Sequence, residues 1–300
     1  MSKKGQSLWR KAKTIIPGGN QLLSKRAELF LPGLWPAYYK KAKGCKVYDL
    51  DNKPYYDFAG MGVTACILGY ADEEIDSAVK TAIDSGSLST LNSYEEVQLA
   101  EKLVQMHPWA DMVRFSKTGG EACAIAVRIA RASSGKNQIA FCGYHGWHDW
   151  YLSANLSDSS NLTDQLLPGL DTRGVPRELI GTAHPFYYND FNSFKKVIDE
   201  HGDNIGTIIM EPQRGEPPKD NFLSKIREIA TSKNIVLIFD EVTSGFHNNF
   251  GGIHLTLDVN PDIAIFAKAL GNGYPISAIV GKREVMDAAQ DTFISSTMWT

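Results

Sequence analysis

Between residues 205 and 242 the chain alternates two hydrophobic patterns. IGTIIMEP (205 to 212) and NIVLIFDEV (234 to 242) are apolar at nearly every position, whereas FLSKIREIATSK (222 to 233) repeats apolar residues every three or four. Unbroken apolar runs of strand length separated by a helix mark parallel strands covered on both faces. The alternation extends upstream. Helix patterns cover 73 to 84, 94 to 106, 118 to 133 and 191 to 202, and strand patterns cover 112 to 116 and 137 to 144. The predicted class is α/β, a mainly parallel, open or mixed sheet between helices. The first sixty residues read as irregular, apart from a hairpin-like pair, KVYDLD and PYYDF, around a turn at Asp51 to Lys53. An N-terminal segment over 1 to 60 and a large domain over 61 to 300 follow from that contrast.

In such a sheet, ligands bind outside the carboxyl ends of the strands. Polar residues fall there: Glu211 ends one apolar run, Asp240 and Glu241 end the next, and Tyr144 and His145 end a third. The run VLIFDE (236 to 241) fits the magnesium-binding strand of a P-loop ATPase only with a GxxxxGK(S/T) loop upstream, and the sequence has none. Asp240 is left as a helix cap, a partner for a surface arginine, or a buried carboxylate facing a protonated ring nitrogen of a cofactor.

In KTGGEACAIAVRIARA, Thr118 and Glu121 fit a capping box. Gly119 and Gly120 weaken a first helical turn but let a phosphate approach the amides at its positive end. The loop GYHGWHDW (143 to 150) offers a planar side chain for stacking on a flat ring. His145 and His148 lie three apart, yet the sequence supplies no further cluster that completes a zinc set, and no metal is expected. In IAIFAKALGNGYPIS (263 to 277), Lys268 stands alone among apolar residues. It is either a rim lysine with its ammonium in water or a desolvated amine suited to carbonyl chemistry.

Composition narrows the classes. With 300 residues, 43% of them hydrophobic, the chain can bury a large core. The net charge of -3 and the lack of long basic runs argue against nucleic acid and anionic membranes as partners. No apolar segment approaches membrane-spanning length, and the N-terminus lacks a secretory pattern. Cys45, Cys66, Cys123 and Cys142 form no CxxC pair, consistent with a cytoplasmic protein. The final FISSTMWT lacks a polar tail, so a fragment of a longer polypeptide is expected.

The ordered set TGGEA, GYHG, MEP, FDEVTSGF and FAKALGNGYP resembles the class III aminotransferases, the fold type I pyridoxal 5'-phosphate (PLP) family that includes glutamate-1-semialdehyde aminomutase. The resemblance runs from PGG at 17 to the last residue. It implies that Lys268 forms a Schiff base with PLP, that Asp240 pairs with the pyridinium nitrogen, and that Tyr144 and Val242 cover the two ring faces. Thr118, Gly119 and Gly120 match the phosphate turn. Glu211 matches a glutamate near the ring hydroxyl and substrate, and His145 joins the cofactor-binding set. Thr297 matches a threonine reaching the neighbouring subunit's phosphate, which implies a homodimer with shared sites. Gly120, Thr243 and His247 depart from the family's usual residues, and the resemblance implies a C-terminal small domain that these 300 residues are expected to lack. The implied activity moves an amino group between an amine donor and a small or carbohydrate-derived carbonyl acceptor. A 2,1-aminomutase, or a PLP-fold binding module without catalysis, are the alternatives.

Overall fold

The computed structural model describes residues 3–165, 169–213 and 215–295. The chain divides into two compact units, Met1–Gly86 and Ser87–Thr300. In the first, helix α1 (Lys3–Ile15) buries Trp9 and Ala12 on one face, and Glu28 accepts from both Trp9 Nε1 at 3.1 Å and Lys13 Nζ at 2.9 Å. This corrects the expectation of an irregular N-terminus. The apolar positions of α1 are few and set among lysines, so a narrow stripe was hidden in a polar segment. Strands β1 (Tyr39–Lys43), β2 (Lys46–Asp49) and β3 (Pro54–Tyr56) form an antiparallel sheet in that order. The hairpin pair is β2 and β3. The lysine-rich edge strand β1 carries too little apolar pattern to read in advance. Helix α2 (Glu73–Ser85) starts on Asp72, whose side chain accepts from Ile75 N.

The second unit is built on a seven-stranded sheet. Helix α3 (Tyr94–Met106) precedes β4 (Met112–Ser116), and helix α4 (Gly119–Ser134) leads to β5 (Gln138–Cys142). Then come β6 (Ala183–Pro185), α5 (Phe191–His201), β7 (Ile205–Met210), α6 (Phe222–Ser232), β8 (Val236–Asp240), β9 (Ile263–Phe266) and β10 (Ser277–Gly281). Spatial order is β4-β10-β9-β8-β7-β5-β6. Strands β6, β5, β7, β8 and β9 pair in parallel, and β10 runs antiparallel to both β9 and β4. Every strand except β10 therefore points the same way.

Successive side chains of the central strands enter different layers. Ile209 and Ile238 face α4 through Ala122, Ala126 and Ala130, while Ile208 and Leu237 face α5 and α6 through Phe194, Ile198, Ile226 and Ala230. That two-sided burial is why these strands read as unbroken apolar runs. The order of connection reverses between β5 and β7, because β6 lies outside β5 while β8 and β9 extend beyond β7. A crevice at the carboxyl ends of strands on either side of such a reversal is where this class of sheet takes a ligand. No helix among the described residues is long and apolar enough to cross a membrane.

Candidate active site

Because six strands run one way, the ends of β4, β5, β7, β8 and β9 deliver Thr118, Tyr144, Glu211, Asp240 and Lys268 to one sheet edge. Asp240 ends β8 opposite Ile265 of β9, and Lys268 follows three residues beyond Ile265. The 28 sequence positions between them collapse to neighbouring strand ends.

Asp240 is only 3% exposed and accepts three hydrogen bonds. Its Oδ1 accepts from the Val242 amide at 2.9 Å. Its Oδ2 accepts from His145 Nδ1 at 2.7 Å and from the Cys123 thiol at 3.3 Å. His145 is buried too, with Nε2 3.1 Å from the carbonyl of Cys142 and its ring stacked 6.2 Å from that of Trp150. Burial, with the Asp240 carboxylate beside it, pushes the Cys123 thiol well above its ordinary range, so it serves as a donor. Cys123, His145 and Asp240 bring their ligand-type atoms within 4.8 Å of one another, a spacing a metal could use. Here the thiol and the imidazole Nδ1 both point at the same carboxylate oxygen, and the trio works as a hydrogen-bonded support. His148 does not join it and stacks on Trp147 instead.

The other acidic residue of the pair turns away. Glu241 is fully buried and accepts from Ser244 Oγ at 2.5 Å, from the amides of Ile253 and His254, and from His254 Nδ1 at 2.7 Å. Glu241 thereby ties down the loop behind the site. Two adjacent carboxylates have divided roles, one facing the sheet edge and one fixing the chain that follows.

Lys268 is half-buried and adopts φ 45°, a left-handed conformation unusual for a residue with a Cβ. Its Nζ donates to Thr243 Oγ1 at 2.9 Å. Desolvation lowers the pKa of its ammonium, and the charges of Asp240 and Glu211 oppose that shift. Partial burial and this lowered pKa are the features that the second reading of the lone lysine, a desolvated amine, calls for.

Around these groups the remaining candidates line up. Thr118 caps α4, its side chain accepting from the Glu121 amide at 3.2 Å, while Glu121 Oε2 accepts from Lys117 N at 2.9 Å. The Thr118 half of the capping box forms, while Glu121 reaches one residue further back, to the Lys117 amide, and helix geometry leaves the amides of Gly119 and Gly120 without partners inside the helix. A Cβ on Gly119 would come within 2.8 Å of Val242 Cγ1, so this glycine lets the turn after β8 close against the start of α4. Gly143, at φ 112°, does the same for Glu211, whose Oε2 would lie 2.6 Å from an added Cβ. Tyr144 is half-buried, its ring edge-on to Tyr151 at 5.9 Å, and desolvation raises its pKa. Thr297 lies outside the described residues.

These residues fit PLP on structural grounds. A buried carboxylate with fixed donors suits a protonated pyridine nitrogen, an open helix start suits a phosphate, and a partly desolvated amine suits an aldehyde. Residues 33–298 match the family profile described as aminotransferase class-III. The chain belongs to that family. Class III aminotransferases use PLP.

Curated relatives of this class III chain include the 3-aminobutyryl-CoA aminotransferase of Cloacimonas acidaminovorans, 36% identical over 99% of the chain and 69% of the relative. The glutamate-1-semialdehyde 2,1-aminomutase of Methanocaldococcus jannaschii is 37% identical over 95% of the chain and 66% of the relative. Among solved structures, the PLP internal aldimine form of the Sphingopyxis FumI protein superposes with TM-score 0.83 at 28% identity, covering 99% of this chain and 69% of that one. An omega-transaminase from Sphaerobacter thermophilus gives 0.81 at 30% identity, covering 94% and 65%. The chain spans about two thirds of the length of these relatives.

Two site residues escaped sequence reading. Cys123 passed as one of four scattered cysteines, although its place on the inward stripe of α4, beside Ala122 and Ala126, was a signal. Thr243 registered only as a departure from the family pattern; its contact with Lys268 needs two loops to meet, and no spacing rule reveals that.

Proposed function

We propose that this chain catalyses PLP-dependent transamination between an amine donor and a small carbonyl acceptor, with Lys268 as the attachment point for the cofactor aldehyde and as the proton carrier. The observation that supports this most is the pairing of Lys268, a partly desolvated amine, with Asp240, a carboxylate fixed by three donors, at adjoining strand ends. When bound, PLP supplies a ring that accepts the electron pair left when a proton is removed beside the substrate nitrogen. Asp240 keeps a proton on the ring nitrogen, and His145 and Cys123 hold Asp240 in place. Lys268 Nζ would take the proton from the substrate carbon that bears the nitrogen and deliver it to the cofactor carbon on the other side of that nitrogen. The amides of Gly119 and Gly120, with Thr118, bind the phosphate; Tyr144 and Val242 flank the ring; Glu211 lies on the substrate side.

A homodimer and a cytoplasmic location belong to the same reading. Leu88, Leu91, Tyr94 and Val97, close together in sequence, expose between 55% and 78% of their surface, apolar side chains that a second copy would cover. The cysteines are free thiols, as a reducing compartment maintains them. A monomeric mass in solution would remove the dimer, and recovery from the extracytoplasmic fraction would remove the location.

The central test is to add PLP, reduce with borohydride and map the modified peptide. An adduct confined to Lys268, and absent from Lys268→Ala, is expected. Labelling spread over surface lysines, or none, overturns the assignment. The aminomutase alternative, raised by the aminomutase relatives, predicts turnover of a single amino aldehyde without any external amine donor, whereas the transaminase requires one.

A further inference from the structure

We infer that Thr243 is the positioning residue for the reactive amine: its hydroxyl holds Lys268 Nζ whenever that amine is free, before the cofactor is captured and again each time the amine is released. This rests on the proposed role of Lys268.

The first support is contact. Lys268 Nζ donates to Thr243 Oγ1 at 2.9 Å. A neutral amine that gives one N–H to this hydroxyl keeps its lone pair off that axis and free for the aldehyde carbon. A charged ammonium can use the same acceptor, so the bond survives protonation of the lysine while Thr243 itself keeps its proton. The hydroxyl restrains where the amine sits without competing for the proton it must carry.

The second support is rigidity. Thr243 stands three residues after Asp240, in a turn fixed on both sides. The Val242 amide donates to Asp240 Oδ1 at 2.9 Å, the Gly245 amide to the Glu241 carbonyl at 2.7 Å, and Ser244 Oγ to the Glu241 carboxylate at 2.5 Å. One short segment therefore supplies both the carboxylate for the ring nitrogen and the rest position for the amine, so their separation is set by a locked turn. An amine on four rotatable bonds loses much entropy when it must find a single geometry, and a fixed acceptor removes part of that search.

Thr243 is exposed, so replacing it leaves the core untouched. Thr243→Val keeps the shape and removes the acceptor; Thr243→Ser restores a hydroxyl. The measurement is the rate at which PLP is captured at Lys268, followed by absorbance and confirmed by the borohydride-trapped peptide, beside kcat and KM for both substrates. In Thr243→Val, capture should slow about five- to tenfold, the scale of one hydrogen bond, and kcat should fall comparably with both KM values unchanged. Thr243→Ser should return both to within about twofold. Capture at the parent rate in Thr243→Val, with Lys268 still labelled, overturns the inference, as does an effect confined to KM, which would make Thr243 a substrate contact. Absence of a Lys268 adduct in the parent chain overturns the underlying reading instead, and that result is visible before any variant is made.

Discussion

Asp240 and Lys268 end neighbouring strands and face one site, yet they are held in opposite ways. Asp240 is almost wholly buried, with three donors on its two oxygens and two of those donors packed in the core. Lys268 is half-buried, sits in left-handed backbone and is shown with one side-chain hydrogen bond, to a hydroxyl on an exposed residue. The contrast matches the roles proposed for the two groups. A carboxylate that stabilises a fixed positive charge works best when nothing about it reorganises. An amine that attacks, departs and carries a proton must be held by something it can leave.

The harshest way to break the comparison is at its rigid end. Asp240→Asn removes the charge and turns an amide N–H₂ towards groups that are already donors, so either His145 and Cys123 or the Val242 amide loses its acceptor. Turnover should fall roughly 10²- to 10³-fold, as for loss of a preorganised charge. The dissociation constant for PLP should rise with it, and each buried donor left unsatisfied should cost about 1–3 kcal/mol of stability. Turnover within tenfold of the parent would mean that the locked carboxylate is structural and the site reading is wrong.

At the mobile end the comparison is sharpened by pH. Desolvation favours the neutral form of Lys268, so its folded-state pKa lies below the ordinary lysine value of 10.5, with Asp240 and Glu211 limiting the drop. Between that lowered value and 10.5 the unfolded chain binds more protons at this position than the folded one. Stability from this group therefore rises as pH climbs through that window and is smallest below it. The cofactor-free protein should show Lys268 acylated by an amine-directed reagent with a midpoint at lower pH than that of a free lysine amine in solution. A pH profile identical to that of the free amine would show that Lys268 is an ordinary rim residue after all.

How much of this could be read in the sequence depends on whether a feature is local. The strands 205 to 212 and 234 to 242 announced themselves because both their faces are buried, and Thr118 with Glu121 announced the start of α4 because a cap is a four-residue event. The prediction of α/β class and the matching of the motif series to class III aminotransferases stood on such signals. Helix α1 was missed because its buried stripe is only Gly5, Trp9 and Ala12 among lysines. The antiparallel β10 was missed because an isolated apolar run carries no mark of direction. The support of Asp240 was legible only in part. His145 was a candidate from its place at the end of β5, but Cys123 lies 117 positions from Asp240, and only the closure of α4 over the sheet brings them together.

That distant thiol allows the finest test of the rigid end. If Asp240 is over-determined, removing its weakest donor should disturb it little. Cys123→Ala deletes one S–H at 3.3 Å and leaves His145 at 2.7 Å and the Val242 amide at 2.9 Å on the same carboxylate. The variant should lose about 1–2 kcal/mol, from one hydrogen bond and a small void in a packed layer, which lowers Tm by roughly 2–8 °C in a domain of this size. PLP affinity should change by less than about threefold, because the carboxylate keeps its position and its charge. Cys123→Ser separates the two contributions: it keeps a donor but not the volume, so a melting temperature close to that of Cys123→Ala assigns the loss to packing, and partial recovery assigns it to the hydrogen bond. A fall in PLP affinity as large as that of Asp240→Asn would show the opposite architecture, in which the carboxylate depends on every one of its donors and the rigid end of the site is rigid only while all three are present.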